Sequence, residues 1–441
     1  MSTTLSAASP QSVSPLKALL RRTFDRPFAI GLLLCSFIWV LPWSRTFQLS
    51  VLVLAITAIA LLIRDRNSWK PFGIKPWCLM NLLAAAALAL SAAGSEYTDK
   101  PIELAAFQLI LMLAGIPVLL WARNDAIWHK LQLCLLAIIG FWLVDGLFQA
   151  LVGFDFFGVP RAERLGGYFS HPDKFGYYIA PLCAWVLFAP AVRRLSLPIQ
   201  SGIYLLCLAV TFFGNTRAGW VAFALISLIW LYTIRQQLRA SIGVLCLLAA
   251  AALFAGWWII SDPMIGKRIA ASIPQSLDMD GLSSVIPVRI QLWAQAWEQF
   301  LTSPWLGTGA GNYVLFLPEH WADTHLDQPY AHQVVFEILA GAGIVGCALF
   351  LAVLVCFLRI VWHGDYTQVA ESRRPLAPMI ILLCTWFPLS THRELFSSEM
   401  MVFTWLCIAL VIARSNLPQS EQGAASKEIS NSDKCEGTTQ Q

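Results

Sequence analysis

Twelve apolar stretches separated by short polar breaks occupy most of the 441-residue chain. They run over about 28–43, 48–63, 76–93, 104–122, 131–152, 175–191, 198–214, 218–234, 241–260, 334–362, 376–390 and 397–413. Runs of this length with almost no charge read as membrane-spanning elements, since a helix needs about 20 residues to cross the hydrocarbon layer. In lipid the backbone has to satisfy its own polar groups, which leaves helices or closed barrels. These runs lack the alternation of barrel strands. The pattern therefore predicts an all-α polytopic membrane protein with about 12 transmembrane helices.

The polar breaks orient the spans. Arg64, Arg66, Lys70 and Lys75 share one break, followed on alternate breaks by Arg123 and Lys130, Arg193 and Arg194, Arg235 and Arg239, then Arg359, Arg373 and Arg374. Basic residues favour the cytoplasmic side, so these loops and the N-terminus are expected inside. Residues 1–27, with Lys17, Arg21, Arg22 and Arg26, read as a retained cytoplasmic segment without a cleavable signal; 28–413 form the transmembrane domain; the polar tail 414–441 is a disordered cytoplasmic end.

Two outer loops are long: about 153–174 and about 261–333. Within the larger one, PVRIQLWAQAWEQFLTSP lies between Pro287 and Pro304 and places Trp293, Trp297 and Leu301 one turn apart. That spacing predicts a helix lying in the outer membrane interface. Arg289 sits one turn before Trp293, with its guanidinium expected toward the headgroup layer.

Composition narrows the picture. At 57% hydrophobic and 13% charged, a soluble fold is excluded, and the net charge of +4 reflects the inner loops and gives no reason to expect nucleic acid. The cysteines, such as Cys35, Cys134, Cys207 and Cys384, follow no paired or metal-ligand spacing and read as small packing residues. Trp39, Trp43, Trp257 and Trp258 cluster near span ends as an aromatic belt.

Against this background Arg164, Arg217, Arg289, Arg393 and His332 stand out, because they fall on the face where cations are unusual. Arg164 lies in RAERLGGYFSHPDKFGYY, where Gly166 and Gly167 permit close backbone approach. Arg217 lies in FFGNTRAGW, a turn so short that it pins the side chain at the membrane surface. Several guanidinium forks at one face fit a diphosphate, whose oxygens accept paired charge-assisted hydrogen bonds, and the lipid surface makes a polyprenyl diphosphate the natural bearer. The competing reading gives these arginines to phospholipid headgroups or to Glu163, Asp173 and Glu394.

His332 ends the polar stretch EHWADTHLDQPYAHQ and opens a long apolar run in which Gly341, Gly343 and Gly346 either break the helix or let it pack closely. Its imidazole could serve as a general base toward a hydroxyl or simply close a helix end. Glu337 falls off the helical face of His332, so the two are not paired by spacing. The Asp278–Asp280 pair evokes a nucleotide-sugar transferase metal site, and His320, Asp323, His325, Asp327 and His332 could hold a divalent ion; the favoured reading is no metal and a solvated, acceptor-facing loop. Asp145, deep in a span, reads as a hydrogen-bond partner of a neighbouring helix.

Taken in order, the glycine-flanked arginine before HPDKFGYY, then NTRAGW, then VRIQLWAQAWEQFLTSPWLGTGAGNY, then YAHQVVFEILAGAGIVG resemble the O-antigen ligase and polymerase superfamily over about residues 160–350. The resemblance implies a C-type glycosyltransferase-like membrane fold in which Arg217 and Arg289 match the donor-diphosphate arginines and His332 the essential histidine. Arg164 and Arg393 join as donor-side candidates, Gln333 and His325 as acceptor-side candidates; Gln333 stands where relatives often have Asn. It further implies transfer of O-antigen from undecaprenyl diphosphate to lipid A-core at the periplasmic face of the inner membrane, by inverting displacement without metal or cofactor. A polymerase, a protein O-oligosaccharyltransferase and, in another class, a lipid-linked glycan flippase are the alternatives.

Overall fold

The computed structural model describes residues 26–38, 47–64, 73–162, 164–169, 172–239, 287–317, 330–364, 374–386 and 394–415, with five single positions between 241 and 257. Eleven of the predicted apolar stretches coincide with helices: α1 (Arg26–Ile38), α2 (Phe47–Arg64), α3 (Ile74–Ala93), α4 (Asp99–Ala122), α5 (Asp125–Val152), α6 (Pro172–Leu187), α7 (Leu197–Phe213), α8 (Arg217–Arg239), then α10 (Val334–His363), α11 (Leu376–Trp386) and α12 (Ser398–Ser415). Helix α9 (Pro287–Thr302) fills the segment between the two prolines. The expected span at 241–260 lies mostly outside the described residues. Six helices among the described residues are long and apolar enough to cross a membrane: α3, α4, α5, α8, α10 and α12. The only pairing of strand type among them is a single bridge, Phe154 to Pro160.

Helix α12 is the axis of the bundle. Met400 through Ser415 are buried all round, as expected of a helix with apolar residues on every face and neighbours on every side. It packs on α1, α4, α10 and α11. Thr404 and Ser415 return their hydroxyls to the carbonyls one turn back, so neither hydroxyl is stranded at this depth. Helices α3 and α4 approach closely because Gly115 leaves room for the Trp77 ring, and the Trp77 indole donates to the Met112 carbonyl at 2.8 Å. Buried cysteines at 183, 207, 384 and 407 sit in this packing.

Polar groups gather at the two ends. At one end Arg414, fully buried, pairs with Asp125 at 2.9 Å and donates to the carbonyls of Ala122 and Arg123. Asn124 caps α5 there by accepting from Ala126 and Ile127. The other end carries Arg217, Arg289 and His332, and its loops enter the bundle.

The glycines after His332 do break α10. Gly343 takes φ 64° and ψ −165°, a region open to glycine and costly for any residue with a Cβ. Its surroundings show why: a Cβ there would lie 2.5 Å from the Trp305 carbonyl. The break frees four backbone groups, and the loop after α9 takes up all of them. Thr308 and Gly309 donate to the Ala340 and Gly341 carbonyls at 2.8 and 3.0 Å, while Ile344 and Val345 donate to Pro304 and Trp305 at 2.9 and 3.1 Å. The same loop is tied to the end of α3 through Ala310 to Ser91 and Asn312 to Ser95 and Tyr97. An irregular backbone buried this deeply is stable only with such complete accounting.

Candidate functional site

Helix α9 and the segment before α10 are joined at His332. The Trp293 indole donates to the Ala331 carbonyl at 2.9 Å, and its ring stacks on Phe336 with centroids 5.9 Å apart. Leu292, Ala296, Tyr313, Ala331 and Ala340 form a small apolar cluster beneath. Arg289, half-buried, is one turn before Trp293 and so shares this side of the molecule with His332. The expected apolar stripe of α9 is thus divided: Trp297 and Leu301 are exposed, whereas Trp293 turns into the protein because the Ala331 carbonyl gives its N–H a partner. Tyr313 donates to the Leu292 carbonyl at 2.7 Å; burial, and secondarily the charge of Glu337, hold its phenol above the ordinary range, so it stays a donor.

His332 has φ 55°, left-handed backbone that is uncommon for a residue with a side chain. Its ring lies against Tyr330 with centroids 3.9 Å apart. Gln333 is the N-cap of α10: its side-chain oxygen accepts from Phe336 N–H at 2.7 Å. Glu337, which spacing left unpaired with His332, turns to another part of the chain. Its carboxylate accepts from Leu395 N–H at 2.7 Å, across to the segment before α12.

Arg217 begins α8. The turn before it is packed hard against α6, where a Cβ on Gly176 would lie 2.4 Å from Thr216 and 3.1 Å from the Gly214 carbonyl. Asn215, at φ 52°, closes the turn. The backbone leading into Arg217 therefore has little freedom, and the residue stands at a helix N-terminus, where the peptide dipoles favour an anion.

Arg164 is placed by α5. Gln149 accepts from the N–H groups of Gly166 and Gly167 at 3.0 and 2.9 Å, and Asp145, one turn earlier, accepts from Phe156 N–H at 2.8 Å. The two glycines thus make their close approach to Gln149. Asp145 serves the loop following its own helix, correcting the expectation of a bond to a neighbouring helix. Arg161, on the same loop, donates to the Ala150 carbonyl and sits over the Phe213 ring at 5.7 Å.

Residues 394–399 tie these elements together. Leu395 bonds Glu337 of α10, and Glu399 pairs with the buried Lys174 of α6 at 2.7 Å, two residues from Gly176. Spacing did not single out Lys174 or Glu399, although Lys174 lies inside the quoted HPDKFGYY motif. Arg393 and His325 lie outside the described residues, as do Asp278, Asp280, His320, Asp323 and Asp327. An apolar cavity of about 260 Å³ starts beside this junction and follows α10 from Val334 to Leu354, lined also by Ile338, Phe350, Met401 and Trp405.

The fold is that of an all-α membrane protein, with an apolar cavity along α10 that begins at Val334, two residues after His332. Residues 202–351 match the sequence model of the O-antigen ligase family, a stretch that includes Arg217, Arg289, His332 and Gln333. The resemblance carried by the motifs is thus one to that family, over that segment. The chain is also similar to the teichuronic acid biosynthesis protein TuaE of Bacillus subtilis (strain 168), 30% identical over 149 residues. That similarity covers 33% of this chain and 30% of the relative's length.

Proposed function

We propose that this protein is a glycosyltransferase of the O-antigen ligase type, moving a glycan from undecaprenyl diphosphate to lipid A-core at the periplasmic face of the inner membrane. The observation that carries the reading is the docking of α9, with Arg289, onto the residue preceding His332, next to an apolar cavity. The cavity follows α10 over 20 residues, roughly 30 Å of helix, the depth of the hydrocarbon layer, and suits a lipid chain.

In the proposed reaction the acceptor hydroxyl attacks the anomeric carbon from the face opposite the diphosphate. The new glycosidic C–O bond forms as the bond to the diphosphate breaks, and configuration inverts. Arg217 and Arg289 stabilise the charge that grows on the leaving diphosphate, with Arg164 and Arg393 as further donor-side cations. His332 takes the hydroxyl proton and passes it to water. No metal is assigned; the guanidinium groups supply the electrostatic stabilisation.

The test is reconstitution of the purified protein with lipid-linked glycan and, separately, lipid A-core and a pilin-like protein as acceptors. Transfer to lipid A-core alone supports the ligase; transfer only to protein makes the chain a protein oligosaccharyltransferase. Glycan movement across the bilayer with no new glycosidic bond makes it a transporter. The similarity to a protein named for teichuronic acid biosynthesis favours one second reading, a polymerase using the same donor chemistry, recognised by growth of lipid-linked glycan in the absence of either acceptor.

A further inference from the structure

The loop that follows α5 inverts the pattern of a water-facing segment. From Leu151 to Pro160 every residue is exposed except Asp155, and Asp155 is the one residue of the ten with a charge or a polar side chain. Phe154, Phe156, Phe157 and Val159 stand outward, Phe157 with 60% of its surface free. An apolar patch of this kind marks contact with another protein or with lipid.

The backbone of the loop is paired as though no water could reach it. Asp155 N–H donates to the Val159 carbonyl and Arg161 N–H to the Gly153 carbonyl, closing a hairpin around the bridge between Phe154 and Pro160. Gly158 N–H donates to the Asp155 carbonyl. The three remaining amides go to carboxylates: Phe156 N–H to Asp145 at 2.8 Å, and Phe157 and Val159 N–H to Asp155 at 2.9 and 2.7 Å. Pro160 has no N–H, so no backbone donor from 155 to 161 is left for solvent. A loop in water does not need such complete pairing, whereas a loop in hydrocarbon cannot do without it.

Ring contacts set the depth. Asp145 lies about 10 Å along the helix axis before Val152, the end of α5, and Phe141 about 16 Å before it. Phe156 packs on Phe141 and Phe148 with centroids 5.9 and 4.7 Å apart, and Phe157 reaches Phe141 at 6.4 Å. The hairpin therefore folds back down the outside of α5 instead of rising from its end. Helix α5 has 28 residues, about 42 Å, and so outlasts a hydrocarbon layer of about 30 Å; a hairpin reaching back this far meets the hydrocarbon. It continues the exposed stripe of Leu133, Phe141, Val144 and Leu151, the face that this membrane-length helix offers to lipid.

We propose that residues 151–160 are a membrane-inserted hairpin whose partner is the hydrocarbon chains of the leaflet on the His332 side, and that Asp145 and Asp155 hold it in shape. Its insertion sets the height at which the segment carrying Arg161 and Arg164 leaves the bilayer. No part of this depends on the reaction the protein catalyses.

The test uses the full chain in lipid nanodiscs, with Phe157 replaced by trifluoromethyl-phenylalanine. Its fluorine resonance is broadened in turn by a phospholipid with a nitroxide high on the acyl chain, a phospholipid with a nitroxide on the headgroup, and a gadolinium chelate in the water. Broadening by the acyl-chain nitroxide is expected to exceed that by the chelate at least about threefold, because the chelate is excluded from hydrocarbon. Stronger broadening by the headgroup nitroxide or the chelate overturns the proposal. Protection from all three probes means that a second copy of the chain covers the patch, and overturns it too. Two variants of the labelled chain then test the role of the carboxylate. Asp155→Asn keeps an acceptor for Phe157 and Val159, so the acyl-chain broadening stays within about twofold of wild type, whereas Asp155→Ala strands both amides and lowers it about threefold or more. Unchanged acyl-chain broadening in Asp155→Ala overturns the part given to Asp155. The measurement on the unsubstituted carboxylate decides insertion whether or not Asp155→Ala folds.

Discussion

The two polar ends of the bundle are built on opposite plans. At the Arg414 end a short, tight turn between α4 and α5 is closed by one buried cation: the guanidinium meets Asp125 and two carbonyls, and Asn124 caps the next helix. At the His332 end, buried polar side chains are spent on loop backbone. Asp145 and Gln149 hold the loop of Arg164, Asn312 and Ser91 hold the loop entering α10, and Glu337 holds Leu395. A tight turn closed by a single cation locks helices that need only stay packed. Backbone pairing holds irregular chain at a chosen place, which is what a site requires and a regular helix does not provide.

That contrast can be broken most sharply at the arginines. Arg217→Ala and Arg289→Ala are each expected to cut transfer about 100-fold or more in the reconstituted assay while leaving thermal stability in detergent near wild type. Full activity in both variants removes the site from this end. Next comes Gly343→Val, which forces a Cβ into the Trp305 backbone and a forbidden φ/ψ; a loss on the order of 3 kcal/mol or more is expected, seen as poor yield and early unfolding. Gly140, in α5 with open space around it, is the control, and Gly140→Ala should be neutral or slightly stabilising.

At the opposite end, Arg414→Met is expected to cost about 2–4 kcal/mol of stability because two carbonyls and Asp125 lose a buried donor. Specific activity per folded molecule should stay unchanged. A variant equally stable but inactive would show that the two ends are not functionally distinct. The smallest effect is expected from the Lys174–Glu399 pair, where a double-mutant cycle with Lys174→Met and Glu399→Gln should return a coupling of about 1–2 kcal/mol in stability. A coupling near zero would show that residues 394–399 are held by Glu337 alone.

Much of the helical layout was legible from hydropathy, because a span must be apolar along its whole length whatever it packs against. The turn at Asn215–Thr216 and the helix between Pro287 and Pro304 were legible too, since each depends on local chemistry, turn length and proline; the glycines after His332 left a break and close packing both open, and the structure chose the break. The partners of buried polar groups were not. Asp145 and Gln149 look like residues lost in a span until the following loop is folded back upon them. Glu337 gave no sign of its partner, because Leu395 lies 58 residues further along the chain.

By itself the sequence determined that this is a helical membrane protein with a set of arginines and one histidine in the long breaks and span ends, because burial, charge and periodicity act on neighbours along the chain. Tertiary structure alone decided which backbone groups the buried polar residues stand beside: Trp293 against Ala331, the 303–312 loop in the gap of α10, and Glu337 against Leu395. Those pairings join positions up to 219 residues apart, as Ser91 and Ala310 do, and they arise from the need to satisfy every buried donor and acceptor in three dimensions.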